Sequence, residues 1–562
     1  MNRLQAVSLG EKDKATWIIG FLCLIVYAGC FTFPLMDKDA AHHANIALNM
    51  LQLNDYQLLI DRQEDYLDKP HLLFWSSALS FKIFGVTTFA HRLPALLYAL
   101  LSIYSTYRLT LHLSDKSTAR LAAIMLATAQ GFIFSINDAR METPLAAGII
   151  FGLWHLIVYI DKRTWLHLIL AALGAAIAFS TKGWVGPVII FVAAFFYLLL
   201  QKKWDVLQSA KTWVFIPLFA LFISPVLFAY YHQFDLHPEK TIRGMSGISG
   251  VKFILWDQNF ERFDGDSFKK GGRNSEYFFL YHTFIWAYFP WSILAYAALV
   301  AWLRKLFIKK EWKQPFAFAA LAFAFMLFTI SWSNFKMPHY IFWFLPIVTL
   351  FTAPYLRELM SGLPGKRFFY GLHIAFAVLI LVATIVLNFY FFQPPSVFAW
   401  VGGILLMAGL IYLLWKKWSD AGLKFVYISA GLSIVFNFMM NYGFFPNLYK
   451  YQGGNELVKM MKEQDVQIPR DRLRLLFTHA HSFDFYLGYN HAITDTANIP
   501  RGDSSITYLV TSPMLKKIRE KGYTVQPVLS HKDYNVNAIK LKFLNPETRQ
   551  SKLDTIMLAR VF

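Results

Sequence analysis

Carboxylates, imidazoles and a lysine crowd three short stretches of this chain, each beside a long apolar run. The densest is Pro34-Leu-Met-Asp37-Lys38-Asp39-Ala-Ala-His42-His43-Ala-Asn45. If a helix starts near Asp39, then His42, His43 and Ile46 share its face. The second is Tyr66-Leu67-Asp68-Lys69-Pro70-His71-Leu72-Leu73-Phe74-Trp75. Here Lys69 offers a compact point charge for a phosphate at a bilayer surface, with Asp68 as its orienting partner. The third, Asn137-Asp138-Ala139-Arg140-Met141-Glu142-Thr143-Pro144-Leu145, sets two acids four residues apart around an arginine. Ionisable groups inside or just outside a membrane are costly, so each points first to function. Structural roles compete at every position: Asp37 or Asp39 as a helix N-cap, Pro70 near a helix start, Glu142 at the favourable end of a helix dipole.

The elements that must position these groups are mostly membrane helices. Of 562 residues, 56% are hydrophobic and 16% charged, well under the roughly one quarter charged of soluble domains. Aromatic residues reach 18%, including 54 Phe and 17 Trp, as expected where rings face lipid or headgroups. The formal charge of +19 is spread between apolar segments. It therefore implies anionic headgroups as partner and excludes a nucleic-acid face. Cys23 and Cys30 share the first apolar run, so neither a structural disulfide nor a zinc box is indicated. That run is too long for a signal-peptide core and lacks a small-residue cleavage site, so it is read as retained.

A bilayer core needs roughly twenty apolar residues per helix, and runs of that kind predict about thirteen spans. They centre on 16–34, 92–113, 119–137, 143–160, 164–181, 184–200, 212–231, 277–303, 315–333, 338–354, 368–391, 397–415 and 425–444. Alternate loops are short and basic: Lys116 with Arg120, Lys162 with Arg163, Lys202 with Lys203, Arg304 through Lys313, Lys366 with Arg367, Lys416 with Lys417. With Arg3, Lys12 and Lys14 they mark the cytoplasmic side, which places the N-terminus inside and the C-terminus outside. The other side carries the long loops 35–91 and 232–276, and long loops tend to be functional. Within the first, 39–52 and 71–84 read as amphipathic helices lying at the interface.

Residues 1–444 thus form a transmembrane domain and 445–562 a separate soluble one. In the latter, Leu473–Phe477, Ile506–Thr511, Ile539–Leu544 and Thr555–Val561 read as strands and Ser512–Gly522 as a helix. The expected fold class is an all-α polytopic membrane domain with a small C-terminal α/β domain.

Taken in order, these motifs resemble a known family. They are an acid after span 1, Tyr66-x-Asp68-Lys69-Pro70-x-Leu72-Leu73-Phe74-Trp75, Arg140-x-Glu142-x-Pro144-Leu145, Lys182-Gly183-Trp184-Val185-Gly186-Pro187, Phe289-Pro290-Trp291-Ser292, and Lys336-Met337-Pro338-His339-Tyr340 with Leu345-Pro346. The chain is similar to the polyprenyl-phosphate-dependent glycosyltransferases of the GT-C fold, in the branch of the lipid A aminoarabinose transferase and the protein O-mannosyltransferases. The resemblance covers most of residues 16–354 and extends loosely to the C-terminal domain.

It implies Asp39 as the first-loop catalytic acid and Glu142 as the second. It implies Tyr66, Asp68, Lys69, His43, Asn259, Arg262 and Lys336 as substrate-binding, with Lys69, Arg262 and Lys336 holding phosphate. Three departures stand out: the Glu that usually follows the first acid is Ala40, the family's Glu before Lys-Pro is shortened to Asp68, and a second Pro is His71. In the family that Glu helps to bind a metal. Here a divalent metal is compatible but not required, with Asp68 and His42 as its candidate ligands.

The implied activity moves a sugar from an undecaprenyl-phosphate donor to an acceptor at the periplasmic face of a bacterial inner membrane, by an inverting displacement. Lipid A or another envelope glycolipid is the favoured acceptor. A protein O-glycosyltransferase of the same fold and, in a different class, a lipid-linked sugar flippase or transporter are the alternatives.

Overall fold

The structure, a computed structural model, describes residues 14–242, 244–258, 276–361, 366–418, 421–476, 480–495, 499 and 505–562. Eight of its helices are long and apolar enough to cross a membrane. A ninth span counts if the pair Lys116–Ala127 and Gln130–Asn137, bent by 53°, is taken as one. This measure does not confirm the count of thirteen expected from the sequence. Thr88–Leu113 is helical as expected, but it buries Arg92 and a stripe of Ser102, Ser105, Thr106 and Thr110. The 277–303 run breaks into Phe279–Ala287 and Ser292–Phe307. Val185–Gln201 and Ala317–Ser331 are 17 and 15 residues long, short of the roughly twenty a bilayer core needs.

The pair Glu142–Lys162 and Trp165–Lys182 makes the most extensive helix contact among the described residues. Arg163, at φ 57°, turns between them. A Cβ on Gly174 would meet the Gly152 Cα at 2.4 Å, and one on Gly148 would meet the Ala178 nitrogen at 2.6 Å. Only glycine allows that approach, the usual device for packing helices in lipid. The consequence is functional: the first residue of one helix, Glu142, lies beside the last residue of the other, Lys182.

Chain exit from the first span is set by Arg92, fully buried at 0% exposure. Its guanidinium donates to the carbonyls of Phe33 at 2.6 Å and Pro34 at 2.9 Å, and also to that of Cys30. The following helix, Ala40–Leu53, does not lie at an interface with one wet face. Nearly every residue from Ala40 to Met50 is buried. Its alanines pack against Leu73, Phe74 and Ala78 of the helix Leu72–Phe84 and against Phe485 from the C-terminal part. Ala40, where the family has an acid, sits inside this core. The helix Leu72–Phe84 is a short apolar one. Between the two, strands Ile60–Asp61 and Glu64–Asp65 pair antiparallel.

The last span runs from Gly422 to Tyr451, past the 444/445 boundary expected from composition. Beyond it is a five-stranded mixed sheet, ordered Ile493–Thr494, Leu473–Leu476, Thr507–Thr511, Asp554–Val561, Val525–Asp533. The first two pairings are parallel and the last two antiparallel, so only Asp554–Val561 runs against the other four. Two readings need correction. Ile539–Leu544 is no strand: Leu541–Leu544 is a short helix, and Phe543 stacks on Tyr534 at 3.7 Å. Val525–Asp533 is an edge strand whose Pro527 sits at a register shift, a placement proline favours in sheets and one that hid it from a pattern search.

Candidate active site

Three acid–base pairs line one cavity of about 230 Å³. Asp39 occupies the N-cap position of Ala40–Leu53, but its side chain makes no capping bond. It turns instead to Arg140, whose Nη2 lies 3.1 Å from Asp39 Oδ2. Its side chain stays 45% exposed, within reach of a ligand. The capping role that competed for Asp39 is thereby excluded, and an aspartate that does not cap needs another reason to be there. Arg140 is also bound by Asp138, which fixes the guanidinium from behind.

Asp68 accepts from Lys69 Nζ at 2.8 Å and from the Tyr66 hydroxyl at 3.4 Å. Lys69 and Tyr66 both line the cavity. The third pair is Glu142 Oε1 with Lys182 Nζ at 2.9 Å, side chains 4% and 3% exposed. Helix ends of opposite dipole sign hold them, which favours the acid at the start and the base at the end. The Lys182 ammonium also lies 4.7 Å from the Tyr340 ring centre and 4.4 Å from that of Trp343. Such aromatic walls stabilise a desolvated cation.

His339 links two of the pairs. Its Nδ1 receives an N–H from Arg140 at 3.0 Å, and its Nε2 lies 3.6 Å from Glu142 Oε1. Arginine can only donate, so the ring proton belongs on Nε2, facing the carboxylate. His43 lines the same cavity. Burial, reinforced by His42 and Lys69, pushes its imidazole down to about 3, so it contributes a neutral polar group rather than a cation.

Not every expected residue arrives. Lys336 is buried and donates to the Ser331 carbonyl at 2.8 Å, while its neighbours Phe335 and Met337 line the cavity. Lys182 stands where a second cation was expected. Asn259, Arg262 and Phe263 lie outside the described residues. The two candidate metal ligands do not converge: His42 bonds Asp61 at 2.9 Å, whereas the Asp68 carboxylate is occupied by an ammonium and a hydroxyl. Among the described residues Asp68 does not fit a metal site.

Arg140, Lys182, His339 and Tyr340 were not singled out from the sequence as site residues. A signal existed: Lys182 ends an apolar run and opens the Lys-Gly-Trp motif, and an intramembrane lysine wants a partner.

Helical bundle, first-loop helices and a charge-lined cavity together give the chain a fold similar to that of membrane glycosyltransferases of the GT-C class. A family model described as dolichyl-phosphate-mannose-protein mannosyltransferase matches residues 68–228. Among individual proteins, the crystal structure of ArnT from Cupriavidus metallidurans bound to undecaprenyl phosphate superposes with a TM-score of 0.71, at 15% identity over 97% of both chains. An uncharacterized protein of Aquifex aeolicus is 24% identical over 96% of this chain and 98% of its own. The undecaprenyl phosphate-alpha-4-amino-4-deoxy-L-arabinose arabinosyl transferases of Proteus mirabilis and Pseudomonas aeruginosa are 23% and 24% identical, over 61% and 62% of this chain. Those matches span 60% and 61% of the transferases' own length.

Proposed function

We propose that this protein transfers a sugar from a polyprenyl-phosphate donor, undecaprenyl phosphate in a bacterial membrane, to an acceptor on the outer face. The observation that carries the reading is Asp39: an exposed carboxylate that caps nothing, held by Arg140 at a cavity that Lys69 and Lys182 also line. The chemistry needs a group to take the acceptor's proton and fixed cations to stabilise charge on the departing phosphate. Arg140 engages Asp39 Oδ2, which leaves Oδ1 for an acceptor hydroxyl. Where the acceptor is itself a phosphate, the carboxylate orients it instead. The nucleophile then bonds to the anomeric carbon as the bond to the lipid phosphate breaks, a single displacement that inverts the centre. Lys69 meets the phosphate at the membrane edge. Lys182, walled by Tyr340 and Trp343, fixes the electrostatics deeper in.

Support for an undecaprenyl-linked donor comes from the relatives: ArnT bound to undecaprenyl phosphate and the undecaprenyl phosphate-alpha-4-amino-4-deoxy-L-arabinose arabinosyl transferases. Lipid A or another envelope glycolipid is the acceptor class that the sequence resemblance implies. The mannosyltransferase description of the matching family model favours a second reading, transfer to protein hydroxyls.

The test is a transfer assay with purified protein, an undecaprenyl-phosphate sugar, and lipid A and a serine/threonine peptide as parallel acceptors. Asp39→Asn keeps shape and deletes charge. It should reduce transfer by about a hundredfold or more, the range for loss of an acid–base group, with expression and unfolding temperature unchanged. Wild-type transfer by that variant would refute the mechanism, and glycosylated peptide with untouched lipid would select the second reading.

A further inference from the structure

Beside the cavity, on the side of the C-terminal sheet, lies a second group of ligand-type side chains. His42, Asp61 and His481 come from three separate elements: the helix Ala40–Leu53, the strand Ile60–Asp61 and the helix His481–Leu487. One ligand atom from each lies within 4.8 Å of the others. The His42 and His481 ring centres are 4.5 Å apart, and His42 Nε2 is 2.9 Å from Asp61 Oδ2. The other carboxylate oxygen, Asp61 Oδ1, is buried with no hydrogen-bond partner among the described residues. A buried carboxylate oxygen without a partner is costly and asks for one.

We propose that His42, Asp61 and His481 bind a divalent cation of the zinc class. Two imidazoles and one carboxylate are a three-ligand set that zinc accepts, with the fourth position left to water or substrate. Two nitrogen donors disfavour magnesium and calcium. Bonds of about 2.0–2.2 Å in a tetrahedron put ligand atoms about 3.3 Å apart. The observed separations, 2.9 Å for one pair and at most 4.8 Å for the rest, bracket that value, so small side-chain adjustments close the site.

The segments that carry His481 and Asp61 are themselves held in place. The His481 carbonyl accepts from Asn45 Nδ2 at 2.8 Å, and the next residue, Ser482, donates its N–H to Asp37 at 2.8 Å. Arg62, next to Asp61, reaches Asp484 at 3.3 Å, and Asp484 is held by His491 at 2.7 Å. A cation here would tie the first loop to the C-terminal part. His42 also lines the Asp39 cavity, so the open position would lie at its rim. The site is distinct from Asp68, and it stands whether or not the transferase reading does.

The experiment uses the untagged full-length protein in detergent, stripped with chelator and titrated with Co2+ as a spectroscopic stand-in, then with Zn2+. The expected result is one equivalent bound, a visible absorption band of four-coordinate cobalt, its loss on adding zinc, and a raised unfolding temperature with either ion. His481→Gln and Asp61→Asn should abolish the band. His481→Cys and Asp61→Glu, which keep a ligand at each position, should retain it, and the cysteine should add a sulfur-to-cobalt band in the near ultraviolet. Absence of the band in the wild-type protein overturns the site. So does its persistence in folded His481→Gln or Asp61→Asn, or a folded His481→Cys protein without the sulfur band.

Discussion

Asp37 and Asp39 stand two residues apart and hold unrelated partners. Asp39 faces the cavity and Arg140. Asp37 is half-buried and accepts both the N–H of Ser482 at 2.8 Å and its hydroxyl at 2.7 Å, all on Oδ1. It thereby serves the first turn of the helix His481–Leu487 across a long sequence gap. Asp37→Asn keeps that acceptor atom and should be mild. Asp37→Ala strands a buried N–H and should cost about 1–3 kcal/mol of stability, with transfer per folded molecule close to wild type. An Asp37→Ala protein that melts normally but no longer transfers would reverse these roles.

Lys182 and Glu142 allow a sharper separation of structure from chemistry. Removing one partner of a buried pair costs about 3–5 kcal/mol, whereas replacing both by apolar groups is often neutral. Lys182→Met should therefore destabilise strongly, and Lys182→Met/Glu142→Leu should recover most of the unfolding temperature. Transfer should stay lost in the double variant. Its recovery would show that the pair only holds two helices together.

At the scale of elements, buried groups help to hold the first-loop helices. His71, at the N-cap position of Leu72–Phe84, is fully buried, and its Nε2–H donates to the Gln57 carbonyl at 2.9 Å. Burial lowers its imidazole from 6.5 to about 4. Above 6.5 the folded and unfolded chains are both neutral there, and no pH dependence arises. As pH falls from 6.5 toward 4 the unfolded chain takes up a proton that the folded one refuses. Stability then declines by about 1.4 kcal/mol per pH unit from this group. Unfolding temperatures measured in detergent between pH 7.5 and 4.5 should fall less steeply for His71→Asn than for wild type. Equal slopes would remove His71 from the account.

At the scale of the whole molecule, orientation rests on the basic loops. Lysines and arginines of short loops stay cytoplasmic, so Lys202 and Lys203 predict the inner side and the C-terminal sheet the outer. Alkaline phosphatase fused after Phe562 should be active, and fused after Lys203 inactive. The opposite pattern would invert the topology and move the cavity to the cytoplasm. Residues 445–562 are proposed as a periplasmic unit on the same grounds.

What the chain's order of residues determined by itself was the class of fold and a set of candidate residues. Long apolar runs can only satisfy their backbones in a membrane as helices, and charged motifs at the ends of those runs already named Asp39, Glu142, Lys69, Asp68, Tyr66 and His43. Partnership was decided only in three dimensions. Nothing local says that Asp39 pairs with Arg140 rather than capping its own helix, because both bonds suit an aspartate at that position. Nor does anything local say that Asp37 serves a helix more than four hundred residues on. The glycines at 148, 152 and 174 explain why Lys182 meets Glu142, but their meaning appears only when the two helices are laid antiparallel. Lys336, equally conspicuous in its motif, turns back to Ser331. A side chain's type is local, whereas its partner is set by how far two elements can approach, and that distance is a property of the packed chain.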